Sequence, residues 1–221
     1  MPNGPATTSA ADAPSLRRKG ELTAERILDA AEALFAEHGY AGTTLRDVAT
    51  RVELRIPSLY NHFSSKDALY AAVLQRGIGP VLAILAEFGA QDAARRDSGS
   101  VIERVMELLR RHPNLPRLVL HETLSGGQRL TPMLREWIAP VFGRASEMVE
   151  ISPGSGRWTP EQVPLLVLAM YHMTIGYFAS VALWADLNGS DLLSPSMIAQ
   201  QTNLLREIVA SLFPNDSPET P

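Results

Sequence analysis

The sequence predicts an all-α protein. Apolar residues recur at helical spacing through most of the chain, little of it alternates apolar and polar residues as a strand would, and capping residues or proline and glycine mark successive helix ends. About nine helices are expected.

The first starts after Thr23 as N-cap, carries Ile27, Ala31, Leu34 and Phe35 on one stripe, and ends near Gly39. A short second helix from Thr43 or Thr44 aligns Leu45, Val48, Ala49 and Val52. The third aligns Ile56, Leu59, Tyr60 and Phe63 at the same spacing. A fourth begins at Asp67; its continuation through Gly77, Gly79 and Pro80 to Phe88 is expected to be bent or broken, because proline lacks a helix donor and crowds the preceding turn. Further helices are expected over 100–111, 115–124, 131–150, 160–185 and 195–213, with breaks at 89–99 and 151–159. Three of these starts, Thr131-Pro132, Thr159-Pro160 and Ser194-Pro195, put a capping hydroxyl before a proline at the first helical position, and Thr159 to Gln162 also fits a capping box.

Composition narrows the chemistry. The chain has 221 residues, 45% of them hydrophobic and 20% charged, enough to bury one sizeable core or two smaller ones. Without a cysteine there is no disulfide, thiolate metal site or cysteine nucleophile. The five histidines lack ligand spacing, so neither a metal nor a cofactor is expected. No nucleophile elbow, His-Glu-x-x-His, phosphate loop or dinucleotide fingerprint occurs, and His121-Glu122, the nearest acid/base pair, would point about 100° apart on a helix. An enzyme is therefore not expected. The formal net charge of −4 confines any nucleic-acid contact to a local patch. The first residues lack the apolar run of a secretory signal, which favours a cytoplasmic location. Residues 162–185 carry no charge, yet Pro164, His172, Thr174, Gly176 and Ser180 dilute them and their flanks are acidic, so a membrane span is rejected in favour of a helix buried on two sides.

Two short amphipathic helices about four residues apart, preceded by a longer one, form the pattern of a helix-turn-helix. Their apolar stripes share one small core, which turns Arg55, Pro57, Ser58, Tyr60, Asn61 and His62 outward or beside the outward face, with no acid among them. Such a face can enter a major groove. From Thr43 to Lys66 four cations stand against two anions. Arg17, Arg18 and Lys19 add a basic tripeptide where a flexible arm could reach a phosphate or a minor groove. A basic patch alone is more often a solvated face; its coincidence with the helix pair is what matters.

The stretch ILDAAEALFAEHGYAGTTLRDVATRVELRIPSLYNHFSSKDALYAAVL, from Ile27 to Leu74, resembles nearly end to end the DNA-binding module of the tetracycline-repressor (TetR) family of bacterial one-component regulators. The Gly39-Tyr40 break, the Thr-Thr helix start, the Leu-Tyr-x-x-Phe helix and the Ser-Lys-Asp-Ala-Leu start carry the likeness. One position departs: Glu53 stands early in the turn where the family usually has glycine, which costs strain if φ is positive and adds an anion near phosphates.

The resemblance implies a homodimeric repressor with a carboxy-terminal ligand domain. By position it implies that Thr43 or Thr44 caps the second helix at a phosphate, that Tyr60, His62 and Lys66 bond the DNA backbone, and that Arg46, Arg55, Pro57, Ser58 and Asn61 meet base edges. Plainer roles stay open: Tyr60 adjoins Leu59 in the apolar stripe, and Lys66, His62 and Asn61 would serve equally as surface polar groups. The expected organisation is an arm over 1–20, a DNA-binding domain over 21–76, a ligand-binding and dimerisation domain over 77–213, and a tail over 214–221. A double-stranded operator and an unidentified small molecule, mainly apolar or aromatic, are the expected partners. Candidate ligand residues are His121, Trp137, Tyr171, His172 and Tyr177. Dimerisation is expected through 160–186 and 195–213, since Ile198, Thr202, Leu205 and Val209 form one stripe and Leu204, Ile208 and Leu212 another. The segment from Leu69 through Pro80 is the expected lever between the modules. A dimeric ligand-binding protein that does not bind DNA is the competing expectation, supported by Glu53 and the acidic total charge.

Overall fold

A computed structural model of the chain describes residues 13–92, 96–124, 132–152 and 154–213, without the side chains of 13–19 and 133. Among the described residues there are ten α-helices, one short 3-10 turn and no strand. The chain divides into two compact units, Met1–Ala72 and Val73–Pro221.

The first unit holds α1 (Ala13–Gly42), α2 (Leu45–Arg51), α3 (Ile56–Tyr60) and the start of α4 (Lys66–Ala90). Ile27, Phe35, Val48, Leu59, Leu69 and Tyr70 are fully buried and form its core, as their helical spacing requires. Two expectations need correction. Helix α1 starts at Ala13, well before Thr23, so residues 17–19 lie on helical backbone and not in an irregular arm. Leu16, Arg17, Arg18, Lys19 and Glu21 are good helix formers, and Pro14 falls in the first turn, where its missing donor is harmless. Gly39, at φ 70 and ψ 174, breaks the helix in a backbone region open essentially to glycine alone.

The second correction is α4, where of the expected bend or break the break does not occur: one helix spans Gly77, Gly79 and Pro80. Pro80 removes one hydrogen bond, but burial of Val73, Leu74, Ile78, Ile84, Leu85 and Phe88 outweighs that loss. Gly77 is a packing site: a Cβ there would come within 2.7 Å of the Leu115 side chain.

The second unit continues with α5 (Ser98–Arg111), α6 (Asn114–Leu124), α7 (Pro132–Ile151), a 3-10 turn at Ser155–Arg157, α8 (Val163–Ala179), α9 (Val181–Asn188) and α10 (Pro195–Leu212). The single helix expected over 160–185 is two helices, bent by 59° at Ser180. This break accounts for ten helices in place of nine. The proposed cap Thr131 lies outside the described residues. At Thr159 half of the capping box forms, the backbone N–H donating to Gln162 Oε1 at 2.9 Å.

Helix α5 packs on α10, and α8 packs on α6 and α7. Ile198, Thr202, Leu205 and Val209 of α10 are all buried, whereas Leu204 is half exposed. Trp158 Nε1 donates to the Leu212 carbonyl at 3.2 Å, fastening the 151–159 connection to the end of α10. By length and composition α4, and α8 with α9 as a bent pair, would pass for membrane spans; in α4 the apolar residues instead form protein core.

Candidate nucleic-acid interface and internal cavity

Helix α2 is only seven residues long, so its caps decide whether it forms. Thr44 and Asp47 make a reciprocal capping box: Asp47 N–H donates to Thr44 Oγ1 at 3.2 Å, and Thr44 N–H donates to Asp47 Oδ2 at 2.8 Å. The Thr44 hydroxyl also donates to Asp47 Oδ2, at 2.7 Å, and this bond together with that from the Thr44 backbone N–H holds the Asp47 carboxyl below its ordinary range. At the other end, Glu53 N–H reaches the Thr50 carbonyl at 3.2 Å and Leu54 N–H the Ala49 carbonyl at 2.8 Å. That pair is a Schellman motif, and it puts Glu53 at the left-handed position. Its φ is 57, and no other described non-glycine residue has a positive φ. The strain the sequence made conditional is therefore present.

The turn carries α3, where Pro57 occupies the first turn and Leu59 is fully buried. Leu59 anchors the helix and forces its neighbours outward: Arg55, Pro57, Tyr60 and Asn61 are exposed, Ser58 and His62 half-buried. Tyr60 is 50% exposed, half covered by its neighbours and half presented outward. Helix α3 ends at Tyr60, sooner than its apolar stripe suggests; Asn61 and His62 form its closing turn, with His62 N–H donating to the Leu59 carbonyl at 2.9 Å. Arg46 is exposed on α2.

Thr43 and Thr44 separate in role. Thr44 is the exposed cap, but Thr43 is 1% exposed and its hydroxyl faces the carbonyls of Leu34 at 3.1 Å and Gly39 at 2.9 Å. We correct the assignment of Thr43 to DNA: it is a buried clamp on the end of α1. Adjacent residues at an extended helix entry point to opposite sides, so only one could face outward.

Lys66, at the start of α4, holds its Nζ 4.2 Å from the centre of the Tyr40 ring. Tyr40 packs in turn on Phe35 and Tyr70, with ring centres 6.2 and 4.9 Å away, and its hydroxyl donates to the Asp67 carboxylate. The helix break at Gly39 delivers Tyr40 to this place. Sequence reasoning used Tyr40 only as a motif letter and missed its contact with a candidate phosphate-binding cation. It also missed Arg26, whose Nη2 donates to the Val52 carbonyl at 3.2 Å and pins the turn to α1. No sequence signal marks a contact across 26 positions.

The second unit holds a partly open cavity of about 210 Å³ lined by side chains of α4, α5, α6, α7, α8 and α10. Of the five candidate ligand residues only Tyr171 lines it. Burial pushes the Tyr171 hydroxyl up, opposed by a hydrogen bond with Thr123. Tyr177 donates its hydroxyl to the Leu192 carbonyl at 2.6 Å and ties α8 to the loop before α10. His172 is exposed, next to Tyr171 but on another side of α8, while His121 and Trp137 are half-buried away from the cavity. Of the missed lining residues of α8, Val167, Thr174 and Ile175 lie three or four positions from Tyr171, and Met170 stands beside it on the same stripe. That spacing from Tyr171 was the available signal. Among the described residues no group of acids and histidines could hold a metal ion.

Residues 27–73 match the family model described as bacterial regulatory proteins, tetR family. The chain is 28% identical over 151 residues to the HTH-type transcriptional regulator RutR of Escherichia coli (strain K12), covering 68% of this chain and 71% of that protein. It is 50% identical over 46 residues to the biofilm operon icaADBC HTH-type negative transcriptional regulator IcaR of Staphylococcus aureus (strain Newman), 21% of this chain and 25% of that one. Among solved structures, a transcriptional regulator from Aquifex aeolicus VF5 aligns with a TM-score of 0.59 at 21% identity over 86% of this chain and 99% of its own. The fatty acid degradation regulator FadR from Bacillus halodurans aligns with a TM-score of 0.59 at 16% identity over 83% and 94%. At these identities the structural likeness bears on the fold alone.

Proposed function

We propose, from the premise that this chain belongs to the tetR family of bacterial regulatory proteins, that it is a ligand-responsive homodimeric repressor of transcription that binds a palindromic operator. One observation carries the reading: α3, anchored by buried Leu59, exposes Arg55, Pro57, Tyr60 and Asn61 together, an acid-free face on a helix short enough to enter a major groove. Arg46, Arg55, Pro57, Ser58 and Asn61 read base edges, whereas Tyr60, His62, Lys66 and the capped start of α2 at Thr44 bond phosphates and set the register. The family points to DNA binding and not to catalysis. Repression is the output named for one relative, and we extend it to this chain. Such a regulator works in the cytoplasm, beside the chromosome.

Dimerisation follows from apolar surface that α8, α9 and α10 leave uncovered. Leu165 is 65% exposed, Leu183 61%, Leu187 69% and Leu204 50%. A twofold pair would bury them and supply two reading heads for the two halves of a palindrome. The effector occupies the cavity of the second unit. It releases DNA only through a difference in affinity between two arrangements of the protein, and α4 is the carrier: Ile78, Val81 and Leu85 line the cavity on the helix that begins at Lys66.

Selection of genomic fragments at low salt with excess competitor DNA, repeated against a compound library, tests the reading. A specific fragment, retained by a dimer and released by a compound, is the expected result; a sedimenting monomer with no fragment above competitor would overturn it.

A further inference from the structure

From the wall of the cavity we infer that the effector is an uncharged one- or two-ring hydrophobic molecule, and that the site discriminates against its ionised relatives. This inference rests on the proposal that the cavity is the effector site.

Among the described residues no Asp, Glu, Lys, Arg or His lines the cavity. Its polar groups are the hydroxyls of Ser98, Ser152, Tyr171 and Thr174, and two of the four already donate to the protein. Ser152 Oγ donates to the Met148 carbonyl at 2.7 Å, and Thr174 Oγ1 donates to the Met170 carbonyl at 2.9 Å. The Tyr171 hydroxyl shares a hydrogen bond with Thr123. What Ser152 and Thr174 can still give a guest is the lone pairs of an oxygen, which suit a ligand O–H or N–H and not an anion. A carboxylate or ammonium in this place would lose its water without gaining a counter-charge.

Size and shape agree. An apolar protein cavity of about 150 Å³ takes up benzene, and 210 Å³ leaves room for a second ring. Phe142 and Tyr171, ring centres 5.4 Å apart and tilted by 47°, make an aromatic corner against which a flat guest can pack. Met106, Met148 and Met170 supply adaptable side chains around it.

Calorimetric titration of the full chain at pH 7 with three matched probes, 1-naphthol, 1-naphthoate and 1-naphthylmethylammonium, tests the inference. A cavity-filling variant, Val105→Trp, and a second on another wall, Ile175→Phe, serve as site controls, of which those retaining the wild-type melting transition are used. We expect naphthol to bind, to lose its binding in the filled variants, and to exceed both ions by on the order of a hundredfold or more. Charged probes that bind within threefold of naphthol and are displaced by filling would overturn charge exclusion while leaving the cavity as the ligand site. Naphthol binding that filling does not alter, or no binding of any probe, would overturn the cavity as effector site and this inference with it.

Discussion

Replacing Glu53 with glycine should stabilise the protein and tighten its hold on DNA, two effects with separate causes. Glu53 sits at φ 57 in the Schellman motif that ends α2. A side chain in that left-handed region costs about 1–2 kcal/mol. Glycine removes the cost but gives back about 0.5–1 kcal/mol through the greater freedom of its unfolded chain. The net gain is about 0.5–1 kcal/mol, or roughly 1–4 °C in melting temperature for a chain of this size. Loss of the carboxylate is a second, electrostatic gain: an anion about 8 Å from a phosphate in water-like surroundings contributes about 0.5 kcal/mol of repulsion. Glu53→Gln isolates this part, since it removes the charge and keeps the backbone strain. By calorimetry, Glu53→Gly should melt above wild type and Glu53→Gln close to it. By fluorescence anisotropy on a selected fragment, both should bind more tightly at low salt, by about two- to threefold per reading head, with the gain fading near 0.15 M as screening shortens to about 8 Å. A glycine variant that melts below wild type with unchanged helix content would refute the strain argument. Equal affinity of all three proteins at low salt would refute the charge argument.

Lys66→Ala should weaken DNA binding on all sequences alike and lower the salt slope by about one per reading head; Tyr40→Leu, which removes the ring under the ammonium, should weaken binding more than Tyr40→Phe at unchanged slope. Thr43→Val should destabilise the fold by about 1–2 kcal/mol in urea titration, because it removes the one hydroxyl proton that the Leu34 and Gly39 carbonyls share, yet leave the affinity of the folded protein as it was. Glu107 is held down to about 2 by hydrogen bonds from Arg110 and Arg111, against an ordinary value of 4.5. A depressed carboxylate stabilises the fold above its unfolded value and loses that contribution as pH falls through the folded one. Wild type should therefore lose more melting temperature than Glu107→Gln between pH 4.5 and 2, by a small margin because the pair is partly exposed.

The core of the first unit was legible because each buried side chain repeats at helical spacing on its own element: Ile27 with Ala31 and Leu34, Val48 with Ala49, and Leu59 beneath the outward row of α3. Local signals also announced the break at Gly39 and the oddity at Glu53. What sequence left out depends on contacts between distant positions. Pro80 reads as a breaker until the burial of Ile84, Leu85 and Phe88 outweighs one missing hydrogen bond. Thr43 and Thr44 are alike as letters, and only the carbonyls of α1 decide which turns inward. In the second unit residue type misled: Trp137, His172 and Tyr177 have the chemistry of ligand contacts, but the cavity wall follows one stripe of α8 and admits Tyr171 alone among those chosen. The break of α8 from α9 at Ser180 carries no proline or charge to announce it.

Hydroxyl-radical footprinting on a selected genomic fragment tests the central claim most directly. Protection should fall on two patches of one DNA face, about 10 base pairs apart centre to centre or a multiple of that, and should vanish when Arg55 and Tyr60 are both replaced by alanine in a protein that keeps its melting transition. A footprint untouched by that double replacement, or continuous protection with no helical repeat, would contradict an account in which the outward face of α3 reads the operator.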